Sequence, residues 1–158
     1  MNSNLSIESI KSAISAGIPK NKIIEKYNLN QDEYLDIELT EHPEKPIVIL
    51  TGSQGFIGTA LAQVLLKTGY FVIGIDCMNK YGLVSRPHDT HESFFLYIND
   101  LTNDFPNIER AQYIIAGAAR IGGISYFSSY PYTIMRDNEL ILANTFDAAL
   151  KLRSKGLE

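Results

Sequence analysis

The strongest constraint on the fold of this sequence is a glycine-rich turn between an apolar run and an amphipathic stretch. Residues 47–50 read IVIL, a run typical of a buried central strand in a parallel sheet. The turn TGSQGFIG occupies residues 51–58, and helical spacing of apolar positions then extends over residues 56–67, before Gly69. A strand, a glycine turn and a helix in this order predict the start of an α/β fold.

The rest of the chain continues the alternation of strands and helices. Apolar runs predict strands at residues 70–75, 94–98 and 111–116, and a last helix is predicted at residues 131–152. The aromatic and serine cluster at residues 126–130 is expected to be a packed loop; the alternative is that its rings stack on a base or a sugar. The pattern predicts an α/β, Rossmann-like, doubly wound parallel sheet that contains the first four strands in the order 3-2-1-4.

The first 45 residues have a different character, with the periodicity of three short helices and no strand-like run. Asn30 is expected to cap the third helix. A polar segment with two prolines follows at residues 40–46 and is typical of a linker. We therefore expect two domains: a small all-α appendage with its linker at residues 1–45, and a Rossmann half-domain at residues 46–158.

Composition excludes several classes of protein. The chain has 158 residues, 45% hydrophobic residues and a net charge of −4, which is ordinary for a globular protein and disfavours nucleic-acid binding. Its single cysteine, Cys77, cannot form an internal disulfide, and no stretch approaches the ~18 apolar residues of a membrane span. We expect a cytoplasmic protein that does not contact membranes.

A helix-turn-helix DNA-binding unit is an alternative for the first 45 residues. Phosphates would repel its reading helix, because that helix carries Asp32, Glu33, Asp36 and Glu38. A packing or oligomerisation role is the favoured interpretation.

The glycine spacing has a chemical interpretation. Gly52 permits a tight turn after the strand, Gly55 lets the backbone approach a pyrophosphate, and Gly58 allows close packing of helix on strand. Asp76 ends the next predicted strand, near the ~20-residue spacing expected of an acid that accepts the ribose hydroxyls. The motif predicts dinucleotide binding; the alternative is a glycine turn that serves packing alone. A carboxylate at this place favours NAD over NADP, because it would repel a 2′-phosphate.

The T-G-x-x-G-x-x-G spacing resembles the extended short-chain dehydrogenase/reductase family, whose members are NAD(P)-dependent nucleotide-sugar epimerases, dehydratases and reductases. Residues 72–76, VIGID, resemble its second strand, and residues 99–101, NDL, resemble the pair that meets the adenine ring. Residues 114–120, IIAGAAR, resemble its fourth strand, with Ala and Gly in the usual His-Leu places. Residues 120–124, RIGGI, and residues 130–131, YP, are most similar to members that act on GDP-sugars, the GDP-fucose synthase and GDP-mannose epimerase type.

This resemblance implies a cofactor site for NAD, with NADP less favoured, and a nucleotide-sugar substrate. The site would be formed by the glycine turn, the acid after the second strand, and the segments after the third and fourth strands. The implied cofactor-binding residues are Gly52, Gln54, Gly55, Phe56, Ile57, Gly58, Asp76, Asp100, Leu101, Ala116, Gly117, Ala118 and Arg120.

Catalysis in this family is attributed to a Tyr-x-x-x-Lys pair after the fifth strand. None of the nine tyrosines has a lysine four residues later, and Tyr132, with Arg136 at that spacing, precedes any fifth strand. We therefore expect no catalytic residue in this chain, which would be truncated before the catalytic half and inactive alone. The alternative is a non-catalytic nucleotide-binding module with a regulatory or interaction role.

Two further features bear on ligands and partners. His88 and His91 lie near acidic residues, but no other Cys or His completes a metal site, so no metal is expected. The fourth strand would end the sheet as an apolar edge, which invites a homo-oligomer or a partner chain that covers it.

Overall fold

A computed structural model describes residues 3–153, with side chains from residue 7 onwards, as two compact units, Met1–Lys45 and Pro46–Glu158. The first unit contains three helices: α1 (Ser3–Ser15), α2 (Lys20–Tyr27) and α3 (Gln31–Glu41). The helices of the first unit bury a small apolar core. Its buried side chains are Ile10, Ala13, Ile23, Tyr34, Leu35 and Leu39.

The start of α3 follows the predicted cap. The Asn30 side chain accepts a hydrogen bond from the Glu33 N–H, and the Glu33 carboxylate accepts one from the Asn30 N–H, each at 2.9 Å. This reciprocal pair is a capping box, which satisfies two N–H groups that a helix start would otherwise leave unpaired.

The second unit is built on a parallel sheet. Its strands are β1 (Ile47–Thr51), β2 (Phe71–Asp76), β3 (Phe94–Ile98) and β4 (Tyr113–Ala116). The strand order is β3-β2-β1-β4 and all pairings are parallel, as the sequence predicts. Because the strands are parallel, their carboxyl ends lie at one edge of the sheet, where ligands bind in open α/β folds.

Three helices follow the strands in this unit: α4 (Phe56–Lys67), α5 (Ile124–Ser129) and α6 (Pro131–Arg153). Helices α4 and α6 contact the sheet, and α5 contacts α6. The inner face of α4 packs on the sheet because its apolar residues recur at helical spacing. Leu50, Ala62, Leu66, Val72 and Phe94 form this buried cluster. The Rossmann-like α/β fold, preceded by a helical segment, is therefore confirmed.

Two local predictions are wrong. The aromatic cluster at residues 126–130 was expected to be a loop, but most of it belongs to α5. Gly123 adopts the extended backbone of a helix N-cap there, and six residues are too few for a periodic apolar signal. The fourth strand begins at Tyr113 rather than at residue 111. Before it, Gln112 donates its N–H to the Ile47 carbonyl oxygen, but the Ile47 N–H is bonded by the Gln112 side chain instead of by a backbone carbonyl.

Candidate functional site

The glycine turn leaves the carboxyl end of β1 through a left-handed residue. Gly52 has φ +71°, and its N–H donates to the carbonyl oxygen of Ile75 at 2.7 Å. A Cβ atom at Gly52 would lie 2.8 Å from the carbonyl oxygen of Gly117. Only glycine fits here, because both the backbone conformation and the neighbouring chain exclude a side chain.

The start of α4 lies directly against this turn. A Cβ atom at Gly58 would overlap the carbonyl oxygen of Gly52, so the third glycine permits close packing, as predicted. Gly55 occupies the N-cap without a side-chain cap, and no acidic residue lies in the first turn. Phe56 and Ile57 are 89% and 71% exposed. The first N–H groups of a helix lack intrahelical partners, so this helix start suits an anion.

Asp76 is held at the glycine turn by two backbone hydrogen bonds. Its Oδ2 atom accepts from the Gln54 N–H at 3.0 Å, and its Oδ1 atom accepts from the Met78 N–H at 2.9 Å. A carboxylate has about four lone-pair sites, so two acceptor positions stay available for hydroxyl groups. The turn and the acid are therefore brought together, as a shared dinucleotide site requires.

The end of β4 is fastened to the same turn through a residue that the sequence analysis did not select. The Thr51 Oγ1 atom accepts hydrogen bonds from the N–H groups of Gly117 and Ala118, both at 3.0 Å. A Cβ atom at Gly117 would lie 2.7 Å from the Thr51 carbonyl oxygen, while Ala116 and Gly117 are exposed. The signal that could have identified Thr51 is a hydroxyl residue that ends a wholly apolar strand.

The segment after β3 is positioned by α6. The Asp100 Oδ1 atom accepts from the N–H and the hydroxyl of Thr102, at 3.0 and 2.8 Å. Leu101 is buried, and its carbonyl oxygen accepts from the Asn144 side chain at 2.8 Å. Asp100 and Leu101 thus shape the segment beyond β3.

Arg120 is engaged by α6. Its Nε atom lies 2.5 Å from a carboxylate oxygen of the buried Asp137, and Asn138 pairs with its backbone. A hydrogen bond with Tyr126 raises the pKa of Arg120, whereas burial acts in the opposite direction. The guanidinium is therefore a paired cation at the loop after β4.

The contacts that join Gln54 to Arg86 and Asp89 were not predicted. Gln54, expected at the cofactor site, has a buried side chain whose Nε2 atom donates to Asp89 at 2.9 Å, and Arg86 Nε donates to the Gln54 carbonyl oxygen at 3.1 Å. Burial lowers the pKa of the neighbouring His88. These partners lie more than 30 positions from Gln54, so no local pattern reveals them.

The described part of the chain contains no group of three or more His, Cys, Asp or Glu side chains placed to hold a metal ion. Among the same residues, no helix combines the length and hydropathy needed to cross a membrane.

Comparisons with known proteins identify the family of the second unit. The family model for the NAD dependent epimerase/dehydratase family matches residues 48–157. Protein CapI of Staphylococcus aureus is 28% identical over 113 residues, covering 65% of this chain and 33% of that protein. GDP-mannose 3,5-epimerase 1 of Oryza sativa subsp. indica is 27% identical over 118 residues, covering 73% and 31%. A probable GDP-L-fucose synthase 1 of Oryza sativa subsp. japonica is 29% identical over 107 residues, covering 68% and 29%.

The fold is also similar to a crystal structure of UDP-galactose 4-epimerase, with a TM-score of 0.51 and 21% sequence identity over 67% of this chain and 34% of that one. The matched region spans about a third of each of these proteins. Because the family model covers most of the sequence and the fold agrees, the chain belongs to the NAD dependent epimerase/dehydratase family.

Proposed function

We propose that this chain is the NAD-binding portion of an enzyme that acts on a nucleotide-sugar. The observation that carries the proposal is the contact between the glycine turn and Asp76. The Gln54 N–H bonds the Asp76 carboxylate at 3.0 Å, next to the uncapped start of α4. A site for anions and a site for hydroxyl groups are thus adjacent, and a dinucleotide needs both.

The residues fit a nicotinamide dinucleotide in shape and charge. The N–H groups of Phe56 and Ile57 would bind the diphosphate, and the absence of side chains at Gly52 and Gly55 lets the phosphates approach the backbone. The Asp76 carboxylate would accept hydrogen bonds from the adenosine ribose. It would repel a 2′-phosphate, which favours NAD over NADP. When bound, the nicotinamide supplies hydride transfer.

The segments after β3 and β4 would complete the cofactor site. Asp100 and Leu101 would border the adenine, and the exposed backbone of Ala116 and Gly117, with Ala118, would pass beside the cofactor. The paired Arg120 cation would lie near the diphosphate and offset part of its charge.

We further propose that this chain alone does not complete a reaction. None of its nine tyrosines is followed by a lysine at the fourth position, so the chain offers no Tyr-x-x-x-Lys pair for proton transfer. The nearest spacing, Tyr132 and Arg136, lies on α6. Turnover by the isolated chain with NAD and a GDP-sugar would contradict this part of the proposal. Binding without turnover also fits the alternative of a non-catalytic nucleotide-binding module.

Oligomerisation and location are proposed from two other features of the chain, the edge of the sheet and its cysteine. In the described sheet β4 is an edge strand, and its residues are only partly covered, so we propose that a second copy or a partner chain pairs with it. Sedimentation tests this, since a monomer at about 100 μM would contradict self-association of this edge. The lone thiol of Cys77 fits a reducing cytoplasmic compartment.

Calorimetric titration with NAD, NADH, NADP and NADPH tests the cofactor site, with Gly55→Asp and Gly55→Asn as a matched pair. Both side chains suit an N-cap, and Gly55 already has the extended backbone of one, at φ −73° and ψ 174°. A Cβ atom at Gly55 would lie 3.2 Å from the Gly52 carbonyl oxygen, a close contact that both variants share, so their comparison isolates the charge. Asp adds a negative charge where the diphosphate binds, whereas Asn adds almost the same volume without charge.

We expect the wild-type chain to bind NAD and NADH, and Gly55→Asp to weaken binding at least about tenfold more than Gly55→Asn. Equal losses in the two variants would show that volume, not charge, decides, and would contradict an anion site. Absence of binding by all four nucleotides would refute the proposed cofactor role and leave an interaction module.

A further inference from the structure

Gln54, the residue before the second glycine of the turn, is held from three directions. Its N–H donates to Asp76 at 3.0 Å, its carbonyl oxygen accepts from Arg86 Nε at 3.1 Å, and its side-chain Nε2 donates to Asp89 Oδ1 at 2.9 Å. The residue is only 1% exposed. A long polar side chain therefore points into the protein from the glycine turn.

The loop between β2 and β3, residues 77–93, supplies the partners of the Gln54 side chain. The second Asp89 oxygen accepts from the Arg86 N–H at 2.6 Å, so one carboxylate joins Gln54 to the loop backbone. His88 Nε2 lies 3.3 Å from Gln54 Nε2, and the His88 ring packs edge-on against Phe94 of β3 at 4.4 Å.

The charge states of the cluster agree with these contacts. Burial lowers the pKa of His88, so the imidazole is neutral near pH 7 and its Nε2 atom can accept the second amide hydrogen of Gln54. Asp89 accepts the first. The Gln54 Nε2 atom thus donates both of its hydrogens, one to the neutral His88 ring and one to the Asp89 carboxylate.

We propose that Gln54 is a positioning residue, which couples the β2–β3 loop to the glycine turn and so fixes the helix-start N–H groups that hold the diphosphate. This proposal deepens the dinucleotide site of the proposed function and rests on it. The Gln54–Gly55 peptide leads directly into the N-cap of α4, so a displacement of that peptide would shift the N-cap and, with it, the N–H groups of Phe56 and Ile57. Asp89 and Arg86, which touch no phosphate in this proposal, act through Gln54.

Three variants separate positioning from simple space filling. Gln54→Glu keeps the size and shape of the side chain but sets a carboxylate against Asp89. In the double variant with Asp89→Asn, the amide lies at position 89 and the carboxylate at position 54, so the hydrogen-bond donor and acceptor have exchanged places. Asp89→Asn alone is the control. The Gln54 amide can rotate by 180° in this variant, so that its oxygen accepts from the new Asn and from the other tautomer of His88.

Calorimetric NAD titrations at pH 5.5 and pH 8 give the decisive readout. Two carboxylates at hydrogen-bond distance share a proton at low pH and repel each other once both are ionised. At pH 8 we expect Gln54→Glu to weaken NAD binding about tenfold or more, and at pH 5.5 by less than about threefold. The double variant and Asp89→Asn should stay within about threefold of wild type at both pH values.

A loss that is the same at both pH values, or that the second substitution does not rescue, would overturn the coupling. Arg86, His88 and Asp76 face the same cluster and are not substituted in any variant. His88 Nε2 lies 3.3 Å from Gln54 Nε2 and 3.5 Å from Asp89 Oδ1, so each variant is compared with wild type at the same pH.

Hydrogen–deuterium exchange on the ligand-free variants provides the second readout, compared at a single pH of 8. We expect Gln54→Glu to accelerate exchange both in the β2–β3 loop and at the amides of residues 54–57, and the double variant to reverse both. Acceleration in the loop alone would overturn the proposal. If the wild-type chain bound no nucleotide, the dinucleotide function would fall, while this exchange experiment would still decide whether Gln54 couples loop and turn.

Discussion

The side-chain amide of Asn138 pairs with both backbone polar groups of Arg120: it accepts from the N–H at 2.7 Å and donates to the carbonyl oxygen at 3.1 Å. The Asn138 side chain thus gives the segment beyond β4 the pair of hydrogen bonds that a neighbouring strand would otherwise supply. The neighbouring Asp137 binds the Arg120 side chain. Two consecutive residues of α6 therefore hold Arg120: Asn138 fixes its backbone and Asp137 fixes its side chain.

Replacing Asn138 with leucine, which has a similar shape and no polar atoms, should leave the N–H and the carbonyl of Arg120 unpaired. We expect a loss of about 1–3 kcal/mol in the free energy of unfolding, measured by urea denaturation. Glu139→Gln, at an exposed position one residue further along, is the control and should change stability by less than about 0.5 kcal/mol. Equal effects would show that the amide pair is unimportant.

Gly58→Ala should destabilise the protein although alanine normally favours a helix over glycine by about 1 kcal/mol. The reason is the overlap of a Cβ atom with the Gly52 carbonyl oxygen, which forces the turn away from α4. We expect a net loss of at least about 2 kcal/mol by thermal unfolding. Gly123→Ala, with no atom within 4 Å of the new Cβ, should cost less than about 1 kcal/mol. A stabilised Gly58→Ala variant would contradict the close packing.

The first unit should lose stability as the pH rises towards neutrality. Burial raises the pKa of Glu38 from 4.5 to about 7, and Lys20 only partly opposes this. The folded state thus prefers the protonated carboxyl, and the stability this gives is complete below pH 4.5 and is lost as the pH rises through about 7.

Urea denaturation followed by circular dichroism at pH 5, 6 and 7 should show this loss in the wild type. Glu38→Gln should flatten the slope of stability against pH, because the side chain no longer titrates. Glu25→Gln, at an exposed site on α2, is the control and should leave the slope unchanged. A Glu38→Gln slope equal to that of wild type would contradict the raised pKa.

Asp76→Asn should reduce the preference for NAD over NADP. The variant removes the negative charge that repels a 2′-phosphate, and the ratio of the two dissociation constants cancels any shared effect on the turn. We expect the ratio of the NADP constant to the NAD constant to fall at least about fivefold by calorimetry. The exposed Asp104→Asn control should leave that ratio unchanged; a ratio unaltered by Asp76→Asn would remove Asp76 from cofactor selection.

The parts of the fold that the sequence predicts are those with local signals. The four apolar runs and the turn of residues 51–58 predict the sheet and its order, because burial on both faces requires continuous apolar strands. Helix α5 is not predictable in this way, since Ile124–Ser129 is too short for a period and begins at a glycine cap. The Gln54 contacts are equally hidden, because Asp89 lies 35 positions away and only the folded loop brings it close.

Amide chemical shifts, measured while the labelled chain is titrated with NAD, test most directly the proposal that NAD binds at the carboxyl ends of β1 and β2. We expect the largest, saturable shifts at Gly55, Phe56 and Ile57, followed by those near Asp76 and Gly117. Saturable shifts confined to other parts of the chain, or no shifts at millimolar NAD, would contradict it.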